Sequence, residues 1–259
     1  MSTASVRPCV LCISGHDPSG GAGIQADIET CAALGAHALS VISAHTVQDT
    51  HDVQRVSAVA PILIAAQLSA LIADAAPRAA KIGLLGDAAQ IEVIAQQLRP
   101  LAIPTVMDPV LRAGGGRALV STQLEAAMID GLFPIVELLT PNAREARRLA
   151  RENDLQRCGT ALRDLGARNV LITGGDEPGE RVVDWLFTAR GDAIRLESAR
   201  LPETFHGAGC TLASAIAAEL ALGRALVEAV ERGRAFVDQA LRRAFAVGTG
   251  RRIPRRPQP

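Results

Sequence analysis

Short apolar runs of β type alternate with longer stretches of helical period along most of the chain, and this alternation limits the fold more than any other feature. The runs are Cys9–Ser14, Ala38–Ser43, Ala80–Leu84, Thr105–Asp108, Glu137–Thr140 and Val170–Thr173. Between them the apolar spacing predicts helices near Gly23–Leu34, Ala58–Ala73, Ala88–Leu98, Thr122–Leu132 and Arg144–Ala150. Strand, helix, strand in this rhythm requires crossover connections, hence a mostly parallel sheet with helices on both faces. Val182–Thr188 and Ala193–Leu196, separated by a polar turn, predict an antiparallel hairpin at one edge. Two helices follow, Gly209–Leu222 and Leu226–Phe245. No linker or composition shift divides the chain, so residues 1–250 read as a single α/β domain. Residues 251–259 form a basic, proline-interrupted tail with too few apolar residues to pack, and a frayed end is expected.

Charge and cysteine usage then exclude several roles. The 27 Lys+Arg residues balance 27 Asp+Glu, which leaves no basic surplus for a general nucleic-acid binder. Aromatic residues are 2% of the chain, too few for stacking platforms. Five scattered cysteines suit a reducing compartment, and a cytoplasmic location is expected. Cys9 and Cys12 have C-x-x-C spacing but lie in a strand, where residues three apart face opposite sides and cannot share a metal. The uncharged stretch Val56–Ala73 contains Pro61 and Gln67 and reads as a half-buried helix, so no membrane span is expected. The N-terminus lacks the pattern of an export signal. Lys81 is the sole lysine, so any other cation that meets an anionic ligand must be an arginine.

In open α/β sheets ligands sit beyond the carboxyl ends of the strands, and the informative residues follow the runs. After the first comes Ser14-Gly-His-Asp-Pro-Ser-Gly-Gly-Ala-Gly23, whose glycines permit a close backbone approach to a ligand or simply a flexible loop. It fits neither G-x-x-x-x-G-K-[ST] nor G-x-G-x-x-G. Asp27 lies near the start of the following helix, as a dipole partner or an acceptor for a polar ligand. The strongest physical signal is Phe205-His-Gly-Ala-Gly-Cys-Thr211 at the start of a small-residue helix. Free N–H groups of Gly207, Ala208, Gly209 and Cys210 would there converge on an anion, as phosphoryl transfer requires. The helix N-terminus would also lower the thiol pKa of Cys210 and equip it as a general base, although inert packing is an equal reading. Asn142 and Glu145 sit one turn apart, spaced to organise Mg²⁺ or to cap a helix. Asp108, before Pro109, is a second candidate for metal or phosphate, or a turn. Arg112-Ala-Gly-Gly-Gly-Arg117 reads as a surface loop or as a lid over phosphates. The histidines show no metal-ligand spacing.

Taken together the segments resemble the hydroxymethylpyrimidine/phosphomethylpyrimidine kinases, of ribokinase-like fold, from Ile13 to about Ala246. The resemblance rests on Asp17-Pro-Ser-Gly-Gly-Ala-Gly-Ile-Gln-Ala-Asp27, Gln48-Asp49-Thr50, Lys81-Ile-Gly83, Asp108-Pro-Val110, Thr140-Pro-Asn142 and His206-Gly-Ala-Gly-Cys210, in that order. It implies transfer of phosphate from ATP, with Mg²⁺, to 4-amino-5-hydroxymethyl-2-methylpyrimidine and its monophosphate in thiamin biosynthesis. By position it implies that Gly15, Asp27, Gln48, Leu84 and Val110 line the pyrimidine pocket and that Gly207–Cys210 form an anion hole with Cys210 as base. Asn142 and Glu145, with Thr173 and Gly175, fall on the nucleotide side, and Asp108, Asn142 and Glu145 on the metal. A homodimer is likewise implied. Two family lysines are absent: Thr173 stands in one strand-end position and the glycine run 114–116 in another, which leaves Arg112 or Arg117 as substitutes. A pyridoxal/pyridoxine kinase and a catalytically weak pyrimidine-binding protein are the competing readings.

Overall fold

The computed structural model describes residues 7–112, 116 and 119–256. Nine strands form one sheet: β1 (Cys9–His16), β2 (His37–Gln48), β3 (Val53–Ala58), β4 (Ala79–Ile82), β5 (Thr105–Met107), β6 (Leu138–Leu139), β7 (Val170–Ile172), β8 (Arg181–Phe187) and β9 (Ala193–Ala199). Their order is β3-β2-β1-β4-β5-β6-β7-β8-β9. β2, β1, β4, β5, β6 and β7 are mutually parallel, while β3 and the β8–β9 hairpin run antiparallel at opposite edges. The expected hairpin is present. The second antiparallel edge is a correction, because Val53–Ala58 was read into a loop and a helix. β3 buries only Val53, so its sequence carries no apolar alternation to reveal it.

The helices are α1 (Gly23–Ala33), α2 (Pro61–Ala75), α3 (Ala89–Leu98), α4 (Thr122–Gly131), α5 (Ala143–Ala150), α6 (Leu155–Asp164), α7 (Ala208–Ala221) and α8 (Leu226–Arg242). Pro61 opens α2, where its missing N–H costs nothing, so the helix starts three residues later than the apolar spacing suggested. The polar helix α6, capped by Asp154, was not anticipated. No described helix is long and apolar enough to cross a membrane.

Successive residues of β1 alternate between two cores. Leu11 and Ile13 join Val41, Ile64, Met107 and Phe133 on one face, while Val10 and Cys12 join Cys31, Val106 and Ile216 on the other. Cys9 packs with the first set and Cys12 with the second, as the strand reading of C-x-x-C required. α7 is buried along almost its whole length, and its alanines let α1 and α8 lie close on either side. From β1 the chain crosses to β2 on one side, and β4 pairs on the other. That switch in direction opens a crevice at the carboxyl ends of β1 and β4.

Candidate active site

A cavity of about 1260 Å³ occupies this edge of the sheet. Its wall includes the ends of β1 (Gly15, His16, Asp17), β2 (Gln48), β4 (Leu84), β5 (Asp108, Val110), β6 (Asn142) and β7 (Thr173, Gly175), together with residues 206–210. Every site residue expected from the sequence except Asp27 therefore faces one space. A site of this size exceeds what one small ligand fills.

Asp27 is the correction. It is fully buried beneath the cavity, where Oδ1 receives Lys81 Nζ at 2.8 Å and the Ser214 hydroxyl at 2.5 Å. Lys81 also donates to Ser14 Oγ at 2.9 Å. Burial works against the Lys81 ammonium, but Asp27, Cys210 and Asp108 outweigh it and hold its pKa above the ordinary value. The sole lysine is thus a fixed charge under the site, enclosed and unable to reach out as a clamp. A lone lysine inside the buried strand Ala79-Ala80-Lys81-Ile82 was the signal for this role.

The glycine turn after β1 is organised by Asp17, which was quoted only as part of a motif. Its Oδ1 accepts from Ser19 N–H (2.9 Å) and Ser19 Oγ (2.8 Å), and its Oδ2 from Ala22 N–H (2.8 Å). The His206 Nε2–H donates to the same Oδ2 at 2.7 Å. Gln48 lies 2.9 Å from that nitrogen and within 3.2 Å of Thr46 Oγ1. The Gln48 amide nitrogen faces that ring nitrogen, while its oxygen accepts from the Thr46 hydroxyl. His206 thereby joins the first glycine turn, the end of β2 and the second glycine turn. Leu84 packs on Gly15, where a Cβ would lie 2.9 Å from the leucine side chain.

At the second turn Gly207 caps α7 with φ +88°, and no side chain caps the helix. Among the described residues the amides of Ala208, Gly209 and Cys210 have no hydrogen-bond partner, so the expected bare-amide cup is present. The thiol departs from expectation. Burial pushes Cys210 up to about 11, with Asp108 and Asp27 acting in the same direction, and the opposing Lys81 and Gly23 amide are too weak to prevent it. A helix N-terminus does not make a thiolate where desolvation dominates and two carboxylates stand nearby.

Asp108 is pushed up to about 6 by burial, against the pull of Lys81. Asn142 and Glu145 form a capping box. Asn142 Oδ1 accepts Glu145 N–H at 2.9 Å, while Glu145 Oε2 accepts Asn142 N–H at 3.0 Å. Glu145 Oε1 takes the Leu111 amide at 3.1 Å. Burial and Asp108 push Glu145 up to about 8. Asn142 Oδ1 and both Glu145 oxygens each accept one backbone bond, so each keeps a lone pair, and Asp108 lines the same cavity. Among the described residues no cluster of three acidic, histidine or cysteine side chains forms a metal site by itself. Two carboxylates do suit Mg²⁺ when ligand phosphates complete its shell.

Thr173 exchanges backbone bonds with Pro141 and Ala143, which extends the β6–β7 pairing to the cavity rim, where Gly175 is exposed. Arg200 holds the turn beyond it through the carbonyls of Gly175 and Glu177 at 2.8 and 2.5 Å. Of the proposed lid, Arg112 and Gly116 line the cavity, while residues 113–115 and Arg117 lie outside the described residues.

A doubly wound sheet with a crevice at its switch point, an uncapped glycine cup and two carboxylates beside it defines an α/β small-molecule kinase of ribokinase-like fold. The chain belongs to the phosphomethylpyrimidine kinase family, whose sequence model matches residues 17–254. A hydroxymethylpyrimidine/phosphomethylpyrimidine kinase of Synechococcus elongatus is 42% identical over 250 residues, spanning 94% of this chain and 95% of that one. Among solved structures, a pyridoxal kinase of Bacillus subtilis in an ADP complex superposes with TM-score 0.89 at 29% identity, covering 97% of this chain and 98% of the other. A phosphomethylpyrimidine kinase from Clostridium difficile superposes with TM-score 0.79 at 34% identity, covering 91% and 100%. The chain is a phosphotransferase.

Proposed function

We propose that this kinase carries phosphate from ATP to the hydroxymethyl group of 4-amino-5-hydroxymethyl-2-methylpyrimidine and to the resulting monophosphate, in thiamin biosynthesis. The observation that carries the reading is the open α7 cup, which lines one cavity with Gly15, Gln48, Leu84 and Val110 and with Asn142, Thr173 and Gly175. The names of the relatives point to the same substrates.

In this reading the heterocycle lies against Leu84 and Val110 with its polar edge toward Gln48. Its hydroxyl faces Cys210, and the transferred phosphoryl group settles on the amides of Ala208, Gly209 and Cys210. Charge spreads over the phosphoryl oxygens as the bond to the leaving diphosphate lengthens, and fixed amides offset that charge without reorganising. The hydroxyl oxygen forms the new P–O bond, the bond to ADP breaks, and the hydroxyl proton passes to the Cys210 sulfur. A thiol must give up its own hydrogen to take that proton, and Asp108, on the same cavity wall, is the acceptor in this reading. Asp108 and Glu145 would hold Mg²⁺, which when bound neutralises phosphate charge. Asp27 and Lys81 act from below as a fixed ion pair and contribute no contact to the substrate.

A homodimer and a cytoplasmic location belong to the same proposal. Exposed Ile62, Leu63 and Val47 offer apolar surface for a second copy, and the five cysteines are all free thiols. The likeness to pyridoxal kinases favours a second reading in which a B6 vitamer occupies the pocket. ADP release from Mg-ATP, measured with the hydroxymethylpyrimidine, its phosphate and pyridoxal, separates the two. We expect the highest kcat/KM on the pyrimidines. Equal or higher kcat/KM on pyridoxal would move the assignment to the second reading, and no turnover on any of the three would remove both.

A further inference from the structure

Residues 251–256, part of the tail expected to fray, are instead bonded into the site. Phe245 and Ile253 pair through both backbone bonds, at 3.0 and 2.9 Å. The segment then lies between two turns of the cavity wall. Gly250 N–H reaches Thr50 Oγ1 at 3.1 Å and Arg251 N–H the Thr50 carbonyl at 3.0 Å. Arg252 N–H donates to the Thr204 carbonyl at 3.1 Å, and the Arg252 carbonyl accepts His206 N–H at 2.8 Å. The strand-like segment therefore holds His206 by its backbone while Asp17 holds it by its ring.

Arg256 completes the arrangement. Its side chain is fully enclosed. Nε donates to Thr211 Oγ1 at 3.0 Å, Nη1 to Glu29 Oε2 at 3.0 Å, and Nη2 to the Gly21 carbonyl at 2.6 Å. The Thr211 hydroxyl passes its own hydrogen to the Gly207 carbonyl at 2.7 Å. One rigid guanidinium thus touches the first glycine turn directly and the cap of α7 through a single hydroxyl. Those two turns are in contact already: a Cβ on Gly207 would run into the Gly21 carbonyl, and one on Gly21 into the His206 ring. Neither glycine has a side chain with which to fix that spacing. A planar fork of donors can fix it, and a lysine in its place could not. Burying a guanidinium is costly unless acceptors meet it, and here the acceptors belong to α1, to the first turn and to the first turn of α7.

We propose that Arg256 is a positioning residue for phosphoryl transfer, clamping Gly21 and Gly207 so that the amides of Ala208, Gly209 and Cys210 converge on one point. Residues 250–256 are then part of the active site. Arg256 does not line the cavity, so it acts only through the groups it holds. The inference rests on the reading of this cup as the phosphoryl site.

The test compares wild type with Arg256→Ala and Arg256→Lys by ADP release with the hydroxymethylpyrimidine, thermal unfolding, and backbone hydrogen exchange of the ligand-free protein. In Arg256→Ala, kcat is expected to fall about 10- to 100-fold, the scale for a displaced catalytic group, with KM for the pyrimidine little changed. Added methylguanidinium should restore part of that loss and leave wild type unaffected. Arg256→Lys should stay impaired although the charge is kept. Exchange should quicken at residues 20–23 and 206–211 and nowhere else to the same degree. A folded Ala variant with kcat within about twofold of wild type would overturn the inference, on the same displacement scale. So would a loss that follows the unfolded fraction and ignores methylguanidinium. If Ala does not fold, the Lys variant decides by the same criteria. Wild type that releases no ADP would defeat the functional reading instead, and the exchange pattern alone would then decide whether the clamp exists.

Discussion

Two helices begin at the same edge of the sheet and both present their N-terminal ends to one cavity. α5 closes on itself, since Asn142 and Glu145 exchange side-chain and backbone bonds until its first turn is satisfied. α7 begins at Gly207 with no side-chain cap, and three of its amides stay free among the described residues. The first places a carboxylate where the second places partial positive charge. An anion is therefore welcome at α7 directly, but at α5 only with a cation interposed. Burial pushes Glu145 up to about 8 and Asp108 up to about 6, which favours their protonated forms, so a cation arriving on the α5 side would displace a proton. The chemistry of N-x-x-E against G-x-G, seven residues in all, separates a metal side from a phosphate side.

The contrast breaks most severely at α7. Cys210→Ala should lower kcat by about 10²- to 10⁴-fold, the range for loss of a general base, and near-normal kcat would take the thiol out of proton transfer. Gly207→Ala should damage turnover on a similar scale for a different reason. Its φ of +88° and the Gly21 carbonyl leave no room for a methyl group, so the cup must open. Steady-state ADP release on the folded variants reads both effects.

At α5 the next effect is on the cation. Glu145→Gln keeps the shape but removes the charge, and the Mg²⁺ concentration for half-maximal rate should rise about tenfold or more. An unchanged Mg²⁺ dependence would remove Glu145 from the metal side. Asn142→Ala should cost about 1 kcal/mol through loss of the cap, a Tm decrease of roughly 2–4 °C by calorimetry. No comparable decrease is available at α7, because no side-chain cap exists there to remove.

The smallest effect concerns pH. Burial opposes the ionised form of Asp17, but the His206 bond and the two Ser19 bonds outweigh it and hold the pKa below the ordinary 3.8. A carboxyl lowered by folding contributes stability that is complete above 3.8 and is lost as pH falls through the lower, folded value. Asp17→Asn should therefore lower Tm at neutral pH and flatten its decline on the acid side of that value. A variant whose acid limb matches wild type would show that Asp17 is not the group responsible.

Much of the fold could be read from residue order. Parallel strands announce themselves by being apolar on both faces, as Ala79–Ile82 and Val170–Ile172 are. β3 and α6 did not, because each buries little and so carries weak periodicity. Within the site, Gln48, Val110 and Cys210 follow strands or open a helix, and their approximate place comes with that position. Asp27 was put on the cavity wall and lies beneath it, since a helix start says nothing about which lysine waits across the sheet. His206 and Asp17, 189 positions apart, could be paired only by folding. Arg256 stood in a tail whose composition pointed to disorder, and it is enclosed because Thr211, Glu29 and Gly21 happen to supply acceptors there.

Local chemistry alone settled the sheet class and the uncapped glycine turn and offered the capping pair as one of two readings, because each depends on residues a few positions apart and on backbone geometry they carry wherever they go. Tertiary structure decided the charge states and the clamp. A thiol at a helix end becomes a weak acid only once burial and two carboxylates surround it, and an arginine at the end of the chain becomes a tie between two turns only once both arrive. Desolvation and fields depend on what lies near in space, and adjacency along the chain does not report it.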